Sequence, residues 1–468
     1  MVRYRTLLVA AAMLAVSVAG SAACARAPQP VRPDSARAPQ PETTASSPTA
    51  KPGGVTPAGG PRRGSAIFVH PDGAGPAHWN AARLLTVGPD GTMAWDRLEQ
   101  VGVYRGHMTN SLGASSHGGA TAHAYGVKVP YDSYGMAGQE PLTALSGKPF
   151  SILTEAKEAG LATALINSGH IAEPGTGVFA ASAASRSDIE SITTQILEGG
   201  TDIILAGGEI LLLPVGEKGY HGYSGMRRGD ENMVERAREL GYRVVYTRDQ
   251  LMALPDTTSK VLGLFAASHT FWDRSEELLE ELGLPLYVPE APSLAEMTRK
   301  ALRMLATRDT RFLLVVEEEG SDNFANHNNA RGTLTALARA DDALDVALGY
   351  IERNPETLLL TTADSDAGGL QVFPVRDPVR YHLPLQPTTN IGSPLDGRAG
   401  TGTPPFIAVP DAAGRELRFG IAWAGQTDFL GGNVARARGL NAELLPANVD
   451  NTDIYRMLYA TLFGRWLE

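Results

Sequence analysis

Three stretches of the chain set acids directly after a run of apolar residues. His70-Pro71-Asp72-Gly73 follows the run at 66–69, Glu317-Glu318-Glu319-Gly320-Ser321-Asp322 the run at 312–316, and Thr361-Thr362-Ala363-Asp364-Ser365-Asp366 the run at 358–360. In a parallel sheet, ligands gather beyond the carboxyl ends of the strands, so three such strands would bring these acids to one edge. Carboxylates crowded together raise one another's pKa unless cations lie between them. The chemistry this predicts is a centre for divalent metal ions. Any one of these acids alone reads as a loop cap or a solvated carboxylate; the repetition at three strands carries the prediction.

The elements that must position them are strands and helices in alternation. Apolar runs at 66–69, 162–166, 203–206, 261–265, 312–316, 358–360 and 406–409 lack polar alternation, as strands covered on both faces do. Between them, Ser293 with Glu296 three residues on is a capping box, opening a helix through Met297, Ala301 and Leu305. A second helix over 232–240 meets Gly241 as its C-cap. This predicts an α/β fold: a single domain whose central, mostly parallel sheet is sandwiched by helices. Residues 371–404 and 411–449, rich in Gly, Pro and polar residues, are expected to be long loops shaping the site entrance.

The chain has 468 residues, a net charge of −10 and one cysteine, Cys24. That charge, without clustered Lys and Arg, excludes nucleic acid as the main partner. A single cysteine permits no internal disulfide. Residues 1–23 have the basic start, apolar run and small residues of an export signal. Ser21-Ala22-Ala23-Cys24 resembles a bacterial lipoprotein cleavage site, with Cys24 carrying the lipid. Residues 24–62, rich in Pro, Ala, Ser and Thr, read as a tether, and residues 63–468 as the catalytic domain. The expected location is the periplasm or cell surface, with the membrane as partner through that lipid.

Several segments together resemble the alkaline phosphatases, over about residues 65–468. Residues 115–122, ending at Gly126-Val127-Lys128, are similar to the family's D-S-A-A-x-A-T-A…G-V-K stretch. Pro292-Ser293-Leu294-Ala295-Glu296-Met297 resembles its P-S-L-A-E-M helix start, and residues 203–208 its V-I-L-G-G-G segment. Residues 316–343 align without a gap to its V-E-G-G-x-I-D-W-A stretch, and Asp364 to Leu370 resembles D-H-E-T-G-G-L. The resemblance implies that Ser116 is the phosphorylated nucleophile and Arg186 the phosphate clamp. It implies that Asp72, Glu317, Asp322 and Asp364 are metal ligands, with Thr176 or, one register away, Glu173 at the magnesium position. A serine hydroxyl needs activation, which a cation supplies, and helix N-terminal amides suit a phosphate. A guanidinium grips two phosphate oxygens at once.

The departures bear on the metal. The family's three zinc-binding histidines are replaced by Asn326, Ser365 and Gly400, and the acid beside the nucleophile by Ser115. An oxygen-rich set suits magnesium, with calcium or manganese as alternatives, better than the family's zinc. His327, one residue past Asn326, and Asp366, one past Ser365, are candidate replacement ligands. A one-residue step on a helix redirects a side chain by about 100°, which counts against them. His170 and His269 read as ordinary polar residues. The expected activity is hydrolysis of a phosphorylated small molecule, a phosphate monoester, through a phosphoserine. The alternatives are a phosphodiesterase or sulfatase-like hydrolase on the same fold, or an inactive phosphate- or metal-binding surface lipoprotein. A dimer is common in the resembling family, while the sequence itself leaves the oligomeric state open.

Overall fold

A computed structural model describes residues 60–397 and 403–468. The export signal, Cys24, most of the tether and Gly400 lie outside the described residues. The central sheet has ten strands: β1 (Ser65–Pro71), β2 (Gln100–Arg105), β3 (Ala162–His170), β4 (Ile203–Gly207), β5 (Arg243–Val245), β6 (Val261–Leu264), β7 (Phe312–Glu318), β8 (Thr357–Thr361), β9 (Asn433–Gly439) and β10 (Asn448–Asp450). Their spatial order is β10-β2-β9-β8-β1-β7-β3-β4-β6-β5. Only β9 runs antiparallel to its neighbours; every other pairing in this sheet is parallel.

Strand β1 shows why the sheet is buried. Ala66, Ile67, Phe68 and Val69 have no exposed surface. Ala66 and Phe68 pack with α2 (Ser116–Tyr125) and α6 (Asn451–Phe463) on one face. Ile67 and Val69 pack on the other with α1 (Pro76–Thr86), α3 (Leu294–Leu305) and α5 (Ala330–Arg353). Burying each large side chain of this kind contributes roughly 1.5–3 kcal/mol, so an apolar run without alternation is what a two-faced strand requires. α3 opens on the expected capping box: the Glu296 amide donates to Ser293 Oγ (3.2 Å), and the Ser293 amide to Glu296 Oε2 (2.9 Å). The other expected helix spans Met233–Glu239, capped by Asn232 and followed by Gly241 at φ +89°.

Two expectations are corrected. The run at 406–409 is not in the central sheet: Phe406–Ile407 pairs with Arg418–Ala422 in a small separate sheet. The presumed loop 411–449 contains β9 and β10, and 371–404 contains short strands at Gln371–Pro374 and Leu395–Asp396. The cause in β9 is alternation: Asn433, Ala435 and Ala437 are buried while Val434, Arg436 and Arg438 lie nearer solvent. Arg436 stacks its guanidinium 3.9 Å from the Trp95 ring centre, a position where a charged residue serves a strand. Among the described residues no helix is long and apolar enough to cross a membrane.

The register matters for the site. His70 lies opposite Glu317, and Val69 opposite Thr361. Strands β1, β7 and β8 therefore end level, and the acids that follow them emerge together.

Candidate functional site

Asp72 follows β1, Glu317 is the next-to-last residue of β7, Asp322 sits in the first turn of α4 (Gly320–Asn326), and Asp364 follows β8. All four are buried. Carboxylate oxygens of Asp72, Glu319 and Asp322 lie within 4.8 Å of one another, and ligand atoms of His70, Asp72 and Glu317 form a second such group. Both oxygens of Asp72 and of Asp364, one of Glu317 and one of Glu319 are buried without a hydrogen-bond partner. Buried anions left this way cost several kcal/mol unless something positive meets them. The donor set fits divalent cations that prefer oxygen ligands.

The electrostatics agree. Burial, then the charges of Asp72 and Glu173, push the Glu317 carboxyl up to about 8. Burial with neighbouring acids pushes Asp322, Asp364 and Glu319 well above the usual range. Asp72 alone is lowered: burial opposes its charge, but the His70 imidazole, 3.4 Å away, outweighs that, aided by Asp364 and Ser116. The backbone is cut to fit these acids. A Cβ on Gly175 would come 2.0 Å from Glu317 Oε1, and one on Gly119 2.8 Å from Asp364 Oδ2.

Ser116 is the first residue of α2, and the helix is capped by its neighbour. Ser115 Oγ accepts from the Gly118 amide at 3.1 Å and donates to the Tyr131 carbonyl. The Ser116 side chain is thereby released from capping, and it lies near enough to Asp72 to help lower that carboxyl's pKa. Arg186 approaches from the β3 side, where its Nη2 donates to Glu173 Oε2 at 3.4 Å. Its charge also reaches the start of α2: burial and then Arg186 hold the His117 imidazole down at about 4.

Thr176 and Glu173 turn to different partners. Thr176 Oγ1 donates to Glu317 Oε2 at 3.1 Å, with Asn167 Nδ2 donating to both. Glu173 turns instead to His170 and His269. Two expected replacements are not brought to the acids. Asp366 faces His78 Nδ1 at 3.2 Å, and His327 turns to Asp273 at 3.0 Å. Three residues not assigned to the site from the sequence do arrive: Glu319, Asp428 and His70. Asp428 hydrogen-bonds to Asp322, carried by the pairing of Asp428–Phe429 with Asp366–Ala367. His70 lies two residues before Asp72 and so on the same side of β1; that period-two signal was legible. Asp428 had none, because sixty residues separate it from its strand partner.

A family model described as alkaline phosphatase matches residues 65–383, more than half of the chain. The chain belongs to the alkaline phosphatase family. Streptomycin-6-phosphate phosphatase of Streptomyces griseus is 27% identical over 80% of this chain and 90% of its own length. Alkaline phosphatase 3 of Bacillus subtilis is 26% identical over 47% of this chain. The chain spans 44% of that relative's length. Among solved structures, Thermus thermophilus alkaline phosphatase superposes with a TM-score of 0.67 at 20% identity, covering 87% of this chain and 94% of that one. The enzyme of the Antarctic bacterium TAB5 gives 0.65 at 17%, covering 87% and 99%. These structures establish the shared fold. Family and fold support a phosphatase-type hydrolase.

Within this alkaline phosphatase fold, two of the replaced positions, Asn326 and Ser365, fall among the described residues. Asn326 donates to both Asp322 oxygens (3.1 and 3.2 Å) and to Asp428 Oδ1 (3.0 Å). Ser365 keeps a buried hydroxyl without a partner. The nitrogen that does face the acids is on His70, both of whose ring nitrogens are buried and unpaired in hydrogen bonds.

Proposed function

We propose that this chain is a metal-dependent phosphate monoester hydrolase acting through a phosphoserine on Ser116. The observation that carries the reading is Ser116 at the start of α2, beside Asp72 and its unpaired, buried carboxylate oxygens. Asp72, Glu317, Thr176, Asp322, Asp364 and Asp428 would hold divalent cations, magnesium first, with calcium or manganese as alternatives. Bound cations would supply the positive charge that favours a serine alkoxide and neutralises phosphate oxygens.

The chain's own residues do the rest. Ser116 Oγ forms a bond to phosphorus as the bond to the substrate alcohol breaks, and that alcohol leaves with a proton. The first amides of α2 face the phosphoryl oxygens, and Arg186 grips two of them. Water then cleaves the Oγ–phosphorus bond and returns Ser116. A cleft of about 450 Å³ beside Asp428 is lined by Leu112, Tyr131, Phe429 and Leu430. It would seat an alcohol with an apolar part. The name of the Streptomyces relative, streptomycin-6-phosphate phosphatase, accords with the monoester class.

The test is to strip metal from the full chain and assay an aryl phosphate with magnesium, calcium, manganese or zinc. Activity should depend on one of these ions, vanish in Ser116→Ala, and leave a phosphoryl adduct detectable by intact mass. Stronger turnover of a diester or a sulfate ester would move the activity to that class. Metal and phosphate binding without any turnover would leave an inactive binding protein. Export and lipid attachment at Cys24 belong to the same proposal; labelled palmitate should enter the wild type and not Cys24→Ala.

A further inference from the structure

His170, Glu173 and His269 are not among the residues assigned to hydrolysis, though Glu173 pairs with Arg186. His170 ends β3, Glu173 opens the turn after it, and His269 stands on the loop after β6. These loops are tied together: the Thr270 amide and hydroxyl both donate to the Ser168 carbonyl (3.0 and 2.6 Å), and the Ile171 amide to that of Gly207 (3.2 Å). The two imidazoles stack with ring centres 4.8 Å apart, and His269 stacks on Phe271 as well.

Three ligand atoms converge. His170 Nε2 is 3.0 Å and His269 Nδ1 3.6 Å from the same oxygen, Glu173 Oε1. All three atoms lie within 4.8 Å of one another. His269 Nδ1 is buried and has no hydrogen-bond partner. At 3.6 Å it is too far from Glu173 for a hydrogen bond. Zinc bonds of about 2.0–2.1 Å in a tetrahedron imply ligand-to-ligand edges of roughly 3.3 Å, between the two observed distances.

We infer that His170, Glu173 and His269 form a separate cation site of zinc type, two imidazoles and one carboxylate, on the flank of the acid centre. Glu173 Oε2 remains on Arg186, so an ion on Oε1 would fix the carboxylate that holds that arginine. The site differs from the acid centre in ligand chemistry: nitrogen donors select zinc or cobalt over magnesium. The inference does not depend on hydrolase activity, since binding is measured without substrate.

The experiment uses the full chain, stripped with chelator, saturated with magnesium and titrated with cobalt(II). One equivalent should bind with the intense visible bands of tetrahedral cobalt. His170→Ala and His269→Ala should each weaken it by more than the roughly 10–100-fold seen on losing an outer-shell partner, while Asp322→Asn keeps it. Retention of the full cobalt signal in the folded His170→Ala/His269→Ala double variant overturns the assignment. Should that variant not fold, zinc K-edge absorption on the magnesium-saturated wild type decides. Two imidazole nitrogens are expected around the zinc, and a spectrum with oxygen ligands alone overturns the site.

Discussion

The acid centre and the β3 flank stand at the same edge of the sheet, yet they solve opposite problems. At the centre, Asp72, Glu317, Glu319, Asp322, Asp364 and Asp428 are crowded beyond β1, β7 and β8 with His70 as the basic side chain among them, so most of their carboxyls are pushed up. On the flank one carboxylate meets two imidazoles and an arginine. Burial of Glu173 is outweighed there by His170, His269 and Arg186, and its pKa falls to about 2. In the first region anions converge without cations and mark where ions must come from outside; on the flank the carboxylate is met by imidazoles that as neutral rings can also hold an ion.

Ser116→Ala probes the first region hardest. It should lower kcat/KM by on the order of 10⁴-fold or more, while elemental analysis finds the metal content unchanged. Equal turnover in that variant would remove the acid centre from catalysis. Arg186→Ala probes the link to the second region. A loss of roughly 10²–10³-fold in kcat is expected, partly restored by lysine, and an unchanged rate would confine Arg186 to pairing with Glu173. Asp428→Ala should weaken magnesium binding at the centre by at least about 10-fold, read by isothermal titration, and leave cobalt binding on the flank intact.

Opposite pH responses should separate the regions in thermal melts of metal-free protein. Glu317 titrates near 8 when folded against a reference of 4.5. The folded state therefore holds a proton that the unfolded state has released, and the Tm should fall as pH rises from 4.5 to 8. Magnesium should remove that slope. Glu173, at about 2 against 4.5, holds fewer protons when folded, so its contribution is present above 4.5 and lost as pH drops toward 2. The variant Glu173→Gln should flatten the acidic arm only. The smallest effect belongs to His327→Ala. That side chain is 43% exposed and turned to Asp273, so stability should shift by no more than about 0.5 kcal/mol, with metal content unaltered.

Much of the centre was legible along the chain. Acids directly following buried strands need only a parallel register to meet, and the uninterrupted apolar runs at β1, β7 and β8 announce that register. Ser116 was legible through flanking likeness, and its freedom from capping became clear only when Ser115 proved to be the cap. Asp366 and His327 illustrate the limit. Each is one residue from a position that faces the site, and that single step sends it to His78 or Asp273. β9 went unread because its arginines disguise a strand whose other face is buried.

By itself, then, the order of residues determined the layered α/β architecture and the strand ends that carry acid. These follow from local pattern, since burial on both faces and one-sided helices leave their mark within a few neighbouring positions. Only the tertiary structure decided that Asp428 joins Asp322, that Thr176 rather than Glu173 meets Glu317, and that His170 and His269 converge on one carboxylate oxygen. Those contacts join segments far apart in the chain. Their geometry is set by strand register and loop docking, which no short window of sequence encodes.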